Sequence, residues 1–250
     1  MPKRRLDQIL IDRGLAPTLT RARALIMAGR VYGRARVYDK PGMQLDADVA
    51  LTLTPDKEFV SRGGLKLRAA LEAWPVGVSG RVCADLGAST GGFTDLLLQH
   101  GAARVYAVDV GKGQLHDRLS RDARVVIMDG TNARALPVLN PPPDLVTVDL
   151  AFISVTAVLP AIEVVAQPGA DVVVLVKPQF EVERSAVDYC GVVRDPGCRA
   201  AAIAVVAGAA RDRAWRIGGI LASPIRGANG NRECLLWMRT PRAKGNAYDR

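Results

Sequence analysis

The apolar run Val82-Cys83-Ala84 leads straight into Asp85-Leu86-Gly87-Ala88-Ser89-Thr90-Gly91-Gly92, and the next strand-like run, Arg104 to Val108, closes on Asp109. Glycine lets backbone turn tightly against a ligand, and a carboxylate at the end of a second parallel strand accepts bonds from ribose hydroxyls. Asp109 follows Gly91 by eighteen residues, near the roughly 20 expected for a ribose-binding acid. A dinucleotide site asks for glycine two positions after the first, where backbone meets pyrophosphate. Ser89 stands there instead. A nucleoside cofactor without phosphates fits better, and S-adenosylmethionine (SAM) is the leading candidate. On the glycines alone, a plain tight turn in some other α/β protein stays open.

The pattern around this turn alternates. Strands are expected near 82–86, 104–109, 123–127, 144–149 and 171–176, and helices near 65–74, 91–100, 154–166 and 196–211. Such alternation specifies a Rossmann-like α/β domain with a mostly parallel sheet covered on both faces. Two last strands, near 215–222 and 233–238, follow one another without a helix and read as an antiparallel closing pair.

At 250 residues and 49% hydrophobic content, the chain can form one large domain, or a medium domain with a small one. No apolar run reaches the roughly 18 residues of a membrane span, and the basic start Met-Pro-Lys-Arg-Arg has no apolar stretch behind it. A cytoplasmic protein without membrane contact is expected. Cys83, Cys190, Cys198 and Cys234 are dispersed, with only His100 and His116 beside them. That argues for free thiols and no metal.

The net charge of +9 is concentrated at one end. Residues 1–40 carry ten bases against Asp7, Asp12 and Asp39, a surplus of seven. A dense basic segment suits a polyanion, because each neutralised phosphate releases counterions; a solvated basic face is the plain alternative. Leu6, Ile9, Leu10 and Ile11 recur at helical spacing within 4–16 and end in Gly14, and Thr18 or Thr20 can cap a second helix through Leu25 and Ile26 to Gly29. Short strands follow at Val31-Tyr32, Arg36–Tyr38 and Val49–Leu53, parted by a basic turn and by Lys40-Pro41-Gly42.

Arg5-Leu6-Asp7, Gly14-Leu15-Ala16, Thr20-Arg21-x-Arg23-Ala24 and Lys40-Pro41-Gly42 together resemble the S4-like RNA-binding domain. The resemblance implies a small α+β domain over 1–55 in which Arg4, Arg5, Arg21, Arg23 and Lys40 meet the RNA backbone. Residues 56–64 read as a linker, 65–240 as the α/β domain and 241–250 as a tail.

Four ionisable residues stand beside apolar strands, where burial is costly unless pairing or chemistry requires it. Asp149 follows Leu145–Val148, Lys177 follows Val172–Val176, Glu233 precedes Cys234–Trp237, and Lys66 follows Arg62-Gly63-Gly64. Singly, each reads as well as a strand-end salt bridge. Ligands bind beyond the carboxyl ends of such strands, so Gly87, Asp109, Asp149 and Lys177 are expected to face one crevice.

Lys66, Asp149, Lys177 and Glu233 match in order the Lys-Asp-Lys-Glu tetrad of FtsJ-like RNA ribose 2′-O-methyltransferases. The phrases Ser61-Arg62-Gly63-Gly64-x-Lys66, Asp149-x-x-Phe152-Ile153-Ser154, Lys177-Pro178-Gln179-Phe180-Glu181 and Gly230-Asn231-x-Glu233 are similar to the TlyA-type family, which carries the names hemolysin and rRNA methyltransferase. Thr20 departs modestly, standing where that family is expected to have serine. The resemblance implies a class I SAM-dependent fold with a seven-stranded sheet, and a cofactor site of Asp85, Gly87, Ala88, Ser89, Gly91, Gly92, Asp109, Asp129 and Asp149. It implies ribosomal RNA as partner, methylation of a cytidine ribose, and an effect on capreomycin and viomycin sensitivity. Lys177 is expected as base or alkoxide stabiliser, since a lysine among apolar residues near positive charge can have its pKa lowered. Asp149 and Glu233 would orient the lysines, Lys66 would position the target phosphate, and Asp129 would meet adenine. Phe152 reads equally as a stacking ring or as core. A non-catalytic ribosome-assembly factor and a membrane-active hemolysin are the rival functions.

Overall fold

The computed structural model describes residues 3–27, 30–33, 36–53 and 59–242. The expected helix end at Gly29, the basic turn at 34–35, linker residues 56–58 and the tail beyond Arg242 lie outside the described residues. The chain divides into two units, Met1–Glu58 and Phe59–Arg250.

In the first unit, β1 (Lys3–Arg5) enters α1 (Leu6–Asp12), and α2 (Leu19–Met27) leads to β2 (Val31–Gly33), β3 (Arg36–Tyr38), β4 (Gln44–Asp46) and β5 (Thr52–Leu53). β1 pairs antiparallel with β4, and β2 lies between β3 and β5. Leu6, Leu10, Ala22, Ile26, Val31 and Tyr38 are fully buried and form this unit's own core. The first helix starts at Leu6, two residues later than expected, and stops just before Gly14, which turns left-handed at φ 67° where the sequence places the helix end. The strand expected over 49–53 begins only at Thr52. The Arg13 guanidinium takes the carbonyls of Ala47 and Val49, which a strand ladder would otherwise use.

The second unit runs α3 (Gly63–Ala73), β6 (Val82–Leu86), α4 (Gly92–Gln99), β7 (Arg104–Asp109), α5 (Asp117–Ser120), β8 (Val125–Asp129), β9 (Leu145–Val148), α6 (Leu159–Val165), β10 (Asp171–Val176), α7 (Pro196–Asp212), β11 (Arg216–Ala222) and β12 (Cys234–Arg239). One sheet takes the order β11-β12-β10-β9-β6-β7-β8. The strands from β8 to β10 are parallel, and β12 runs antiparallel between β10 and β11. All six residues of β10 are buried, as a central parallel strand covered on both faces requires. Val172 and Val174 pack with Ile162 and Val206 on one face, and Val173 and Leu175 with Leu67 and Leu96 on the other. Each such side chain contributes roughly 1.5–3 kcal/mol by burial.

The helix expected over 154–166 is broken into a 3-10 turn at Val155–Ala157 and then α6. Pro160 has no N–H to donate, so it is accommodated in the first turn of α6 rather than in a helix interior. The third strand lies two residues later than 123–127 and is the sheet's edge, with Ile127 exposed. Between β6 and β9 the strand order reverses direction, which opens a crevice at their carboxyl ends.

Candidate active site

Asp85, in β6, is fully buried. Its Oδ2 accepts hydrogen bonds from the Thr94 amide at 2.9 Å and hydroxyl at 2.7 Å, and its Oδ1 from the Thr147 hydroxyl at 3.1 Å. Burial pushes this carboxyl up to about 6, against the opposing pull of the threonine bonds. The contacts tie the first turn of α4 to β6 and β9. Gly87 then turns at φ 86°, where a Cβ would lie 2.6 Å from the Asp149 carbonyl oxygen. Only glycine lets the turn cross the end of β9 this closely.

Ser89 adopts φ 48°, a left-handed conformation that glycine usually supplies. The arrangement aims its amide at Asp109 Oδ2, 2.8 Å away, while the Gly111 amide reaches Oδ1 at 2.7 Å. An ionised carboxylate has about four lone-pair sites, so both oxygens retain capacity for ribose hydroxyls. At the end of β8, Asp129 is exposed and accepts from the Gly113 amide at 2.7 Å.

Two ion pairs complete the site. Lys66, on α3, places Nζ 2.6 Å from Glu233 Oε2, and Lys177, after β10, places Nζ 2.7 Å from Asp149 Oδ1. Glu233 is covered by the 226–228 turn, since a Cβ on Gly227 would fall 2.0 Å from its Oε1. The first pair is buried and the second half-buried, and such pairs are weak evidence for stability, because desolvation offsets their attraction. Their value is orientation, with each amine held by a carboxylate from a different element.

Lys66, Asp149 and Lys177 line a single crevice of about 360 Å³ with Asp85, Gly87, Ala88, Ser89 and Gly92. Glu233 meets it through Lys66. Asp109, expected to face the same crevice as Gly87, Asp149 and Lys177, is not among these lining residues but bonds to one of them, its Oδ2 accepting from the Ser89 amide. Gly91 also lies off the wall, against Leu115 and Leu119, and Asp129 is likewise outside it. Arg62, Arg226 and Gly227 line the crevice without having been singled out as site residues. Their signal is arginine beside glycine in Arg62-Gly63-Gly64 and Arg226-Gly227, a cation on backbone able to approach a ligand closely.

Phe152 is not core. It is 91% exposed at φ 65°, with its ring 5.5 Å from that of Phe180. Its loop is held down by Glu181, which accepts from the Ser154 hydroxyl at 2.6 Å and the Val155 amide at 2.8 Å.

In the first unit, Arg5 and Arg23 both bond the fully buried Asp7, at 2.7 and 3.1 Å, while Arg4 turns to Asp12 at 2.6 Å. The Arg5 hydrogen bond, outweighing burial and aided by Arg23, holds the Asp7 carboxyl below the usual range. Arg21 and Lys40 are exposed. The four cysteines are free, and burial pushes the Cys83 thiol up to about 12. Among the described residues no group of side chains has metal-ligand spacing, and no helix is long and apolar enough to cross a membrane.

A parallel sheet closed by one reversed strand, with a glycine turn after β6 and acids at the ends of β6, β7 and β9, defines a Rossmann-like methyltransferase. The model of the FtsJ-like methyltransferase family matches residues 59–240. The chain belongs to that family, among its TlyA-type members. It is 48% identical over 240 residues to the 16S/23S rRNA (cytidine-2′-O)-methyltransferase TlyA of Mycobacterium tuberculosis, covering 94% of this chain and 90% of the relative. Hemolysin A of Brachyspira hyodysenteriae is 36% identical, with 92% and 98% covered. A solved structure of a hemolysin-named protein from Streptococcus thermophilus is similar at TM-score 0.73 and 38% identity, covering 98% of this chain and 92% of that one.

Proposed function

We propose that the protein transfers the methyl group of SAM to the 2′-hydroxyl of a cytidine ribose in 16S ribosomal RNA, 23S ribosomal RNA or both, in the cytoplasm. The observation that carries this reading is the meeting of Lys66–Glu233 and Lys177–Asp149 at one crevice beside the glycine turn. The 48% identical relative acts on that substrate, and a vestigial binding protein would have no need of four ionisable groups held in two ion pairs, one buried and one half-buried.

The residues present suit SAM. The wall at Gly87–Ser89 brings backbone up to the cavity, with Asp109 behind it retaining acceptor capacity, and the carboxylates of Asp85 and Asp149 in the lining suit a cationic sulfonium better than a pyrophosphate. When bound, SAM supplies an electrophilic methyl carbon on sulfur. The chain's own part is to hold the ribose and manage its proton. Lys177, oriented by Asp149, would hydrogen-bond the 2′-oxygen and stabilise its negative charge as the hydroxyl proton passes to water, and the methyl carbon's bond to sulfur would break as its bond to that oxygen forms. Lys66, fixed by Glu233, holds the adjoining phosphate. Alignment of the two reactants is the largest contribution, since fixing a near-attack geometry can lower a barrier by roughly 7–11 kcal/mol. Phe152, exposed beside this site, offers a face on which the displaced base can stack.

The first unit serves as an S4-like RNA-binding domain, with Arg4, Arg5, Arg21, Arg23 and Lys40 on the phosphate backbone. Loss of the methyl group would alter sensitivity to capreomycin and viomycin. The test is Lys177→Ala, assayed on ribosomes from cells lacking this gene with ribose methylation mapped by mass. Transfer should fall roughly 10²–10⁴-fold, the usual contribution of a positioned acid–base group, while SAM binding and the far-ultraviolet spectrum stay intact. Full activity in this variant would remove Lys177 from the reaction.

A further inference from the structure

Arg226 lines two cavities. One is the catalytic crevice, and the other, also about 360 Å³, is walled by Arg194, Arg199, Arg232, Asn229 and Gly230. Four guanidinium groups and no carboxylate line this second cavity. The neighbouring acids are already engaged. Asp188 accepts the Cys190 and Val192 amides and pairs with Arg194 at 2.7 Å, and Asp195 caps α7 through the Cys198 amide. Arg199 is held by the carbonyls of Val193 and Arg194, whereas Arg232 is exposed and bonds to none of the described residues.

The cavity is built on a braced floor. Asn231, 1% exposed, accepts from the Val193 amide at 3.0 Å and donates to the Gly191 carbonyl at 2.7 Å, and Asn229 donates to the Cys190 carbonyl at 2.8 Å. The laced segment runs two residues further into Glu233, so the arginines and the Lys66–Glu233 pair share one support.

We infer that this second cavity is a phosphate subsite, holding the RNA backbone next to the nucleotide whose ribose occupies the crevice. The inference rests on the RNA methyl-transfer reading above. A ribose bound at Lys177 is joined to phosphate on both sides, so the strand must leave the crevice across its border. Where it passes Arg226, the lining carries only positive charge. Arg194 shares its charge with Asp188 but keeps 72% of its side chain exposed, so it can reach an anion in the cavity together with the other three guanidiniums, whose planar forks match phosphate oxygens. Single-stranded RNA drawn out of its helix presents such phosphates singly.

The test uses full-length protein and, as probe, ribosomal subunits from cells lacking the modification, with binding measured from about 50 to about 200 mM KCl. Arg194→Ala/Arg232→Ala should weaken subunit binding about tenfold at the middle of that range. It should also lower the slope of log affinity against log salt by about one per arginine. SAM affinity by calorimetry should be unchanged, and Arg194→Lys/Arg232→Lys should restore most of the slope. Wild-type affinity and slope in the alanine variant would overturn the subsite, as would a loss that the lysine variant does not recover. Because the readout is binding, absence of methyl transfer by the wild type would count against the reaction alone.

Discussion

Asp85 is a carboxyl placed where its charge is costly. Its folded pKa of about 6 stands above the 3.8 of an unperturbed group, with burial as the cause. The native state therefore binds this proton more tightly than the unfolded chain, so the stability it contributes is full below about 4 and is lost as pH rises through about 6. Asp85→Asn keeps an acceptor for Thr94 and removes the titration. The melting temperature of the variant relative to wild type should accordingly climb between those two pH values and level off above them, and a flat difference across that range would show that Asp85 is not the titrating strut. Gly87 and Asp85 are legible in sequence because the turn they build is local. Thr94 and Thr147 are not, since the first becomes a partner only when α4 folds back onto β6 and the second only when β9 pairs with β6.

At the scale of elements, Asp171 at the start of β10 gathers Arg81, Arg239 and the Trp237 indole at 2.8, 2.7 and 2.8 Å, joining the ends of β6, β10 and β12. Burial pushes its carboxyl up, but the hydrogen bonds from Arg239, Arg81 and Trp237 outweigh it, so the net shift is downward. Its stabilisation is present above the unfolded pKa and fades as pH falls through the folded one. Asp171→Ala leaves the mostly buried Arg81 with only Asp144 as an acid partner, and breaking a buried pair costs about 3–5 kcal/mol. Urea unfolding at neutral pH should show a loss of that order, and an undiminished midpoint would refute it. β6, β7 and β10 have the bounds their apolar runs predict, because a central parallel strand is a continuous hydrophobic segment ending in charge. The elements without such a signature were missed. α5 has four residues, too few for helical periodicity, and the Lys-Arg-Arg strand β1 is polar throughout, existing only through its pairing with Gln44–Asp46. The crevice was legible by its strand ends, whereas Arg226 and Gly227 come from a turn whose position depends on β11 and β12 closing the sheet.

At the scale of the whole molecule, charge and core are distributed differently. Residues 1–40 hold seven of the nine net positive charges, while among the described residues each unit has buried clusters of its own. Phe59 is already part of the second unit's core, packed with Leu67 and Phe93. A chain starting at Phe59 keeps every residue that lines the crevice, and it should unfold in one cooperative transition and bind SAM as the full chain does. Its affinity for ribosomal subunits should behave otherwise. Arg4, Arg5 and Arg23 are paired with aspartates yet keep 57%, 49% and 48% of their side-chain surface exposed, so phosphate can reach the guanidiniums without breaking the Asp7 and Asp12 contacts. If these three, Arg21 and Lys40 each neutralise one phosphate, removing the first unit lowers the salt slope by roughly 3.5 to 4.5, between the single-strand and duplex values. A shortened chain with the parent's slope would place the nucleic-acid contacts of this protein wholly on the methyltransferase unit, whereas one unable to bind SAM would show that the first unit contributes to the fold of the second.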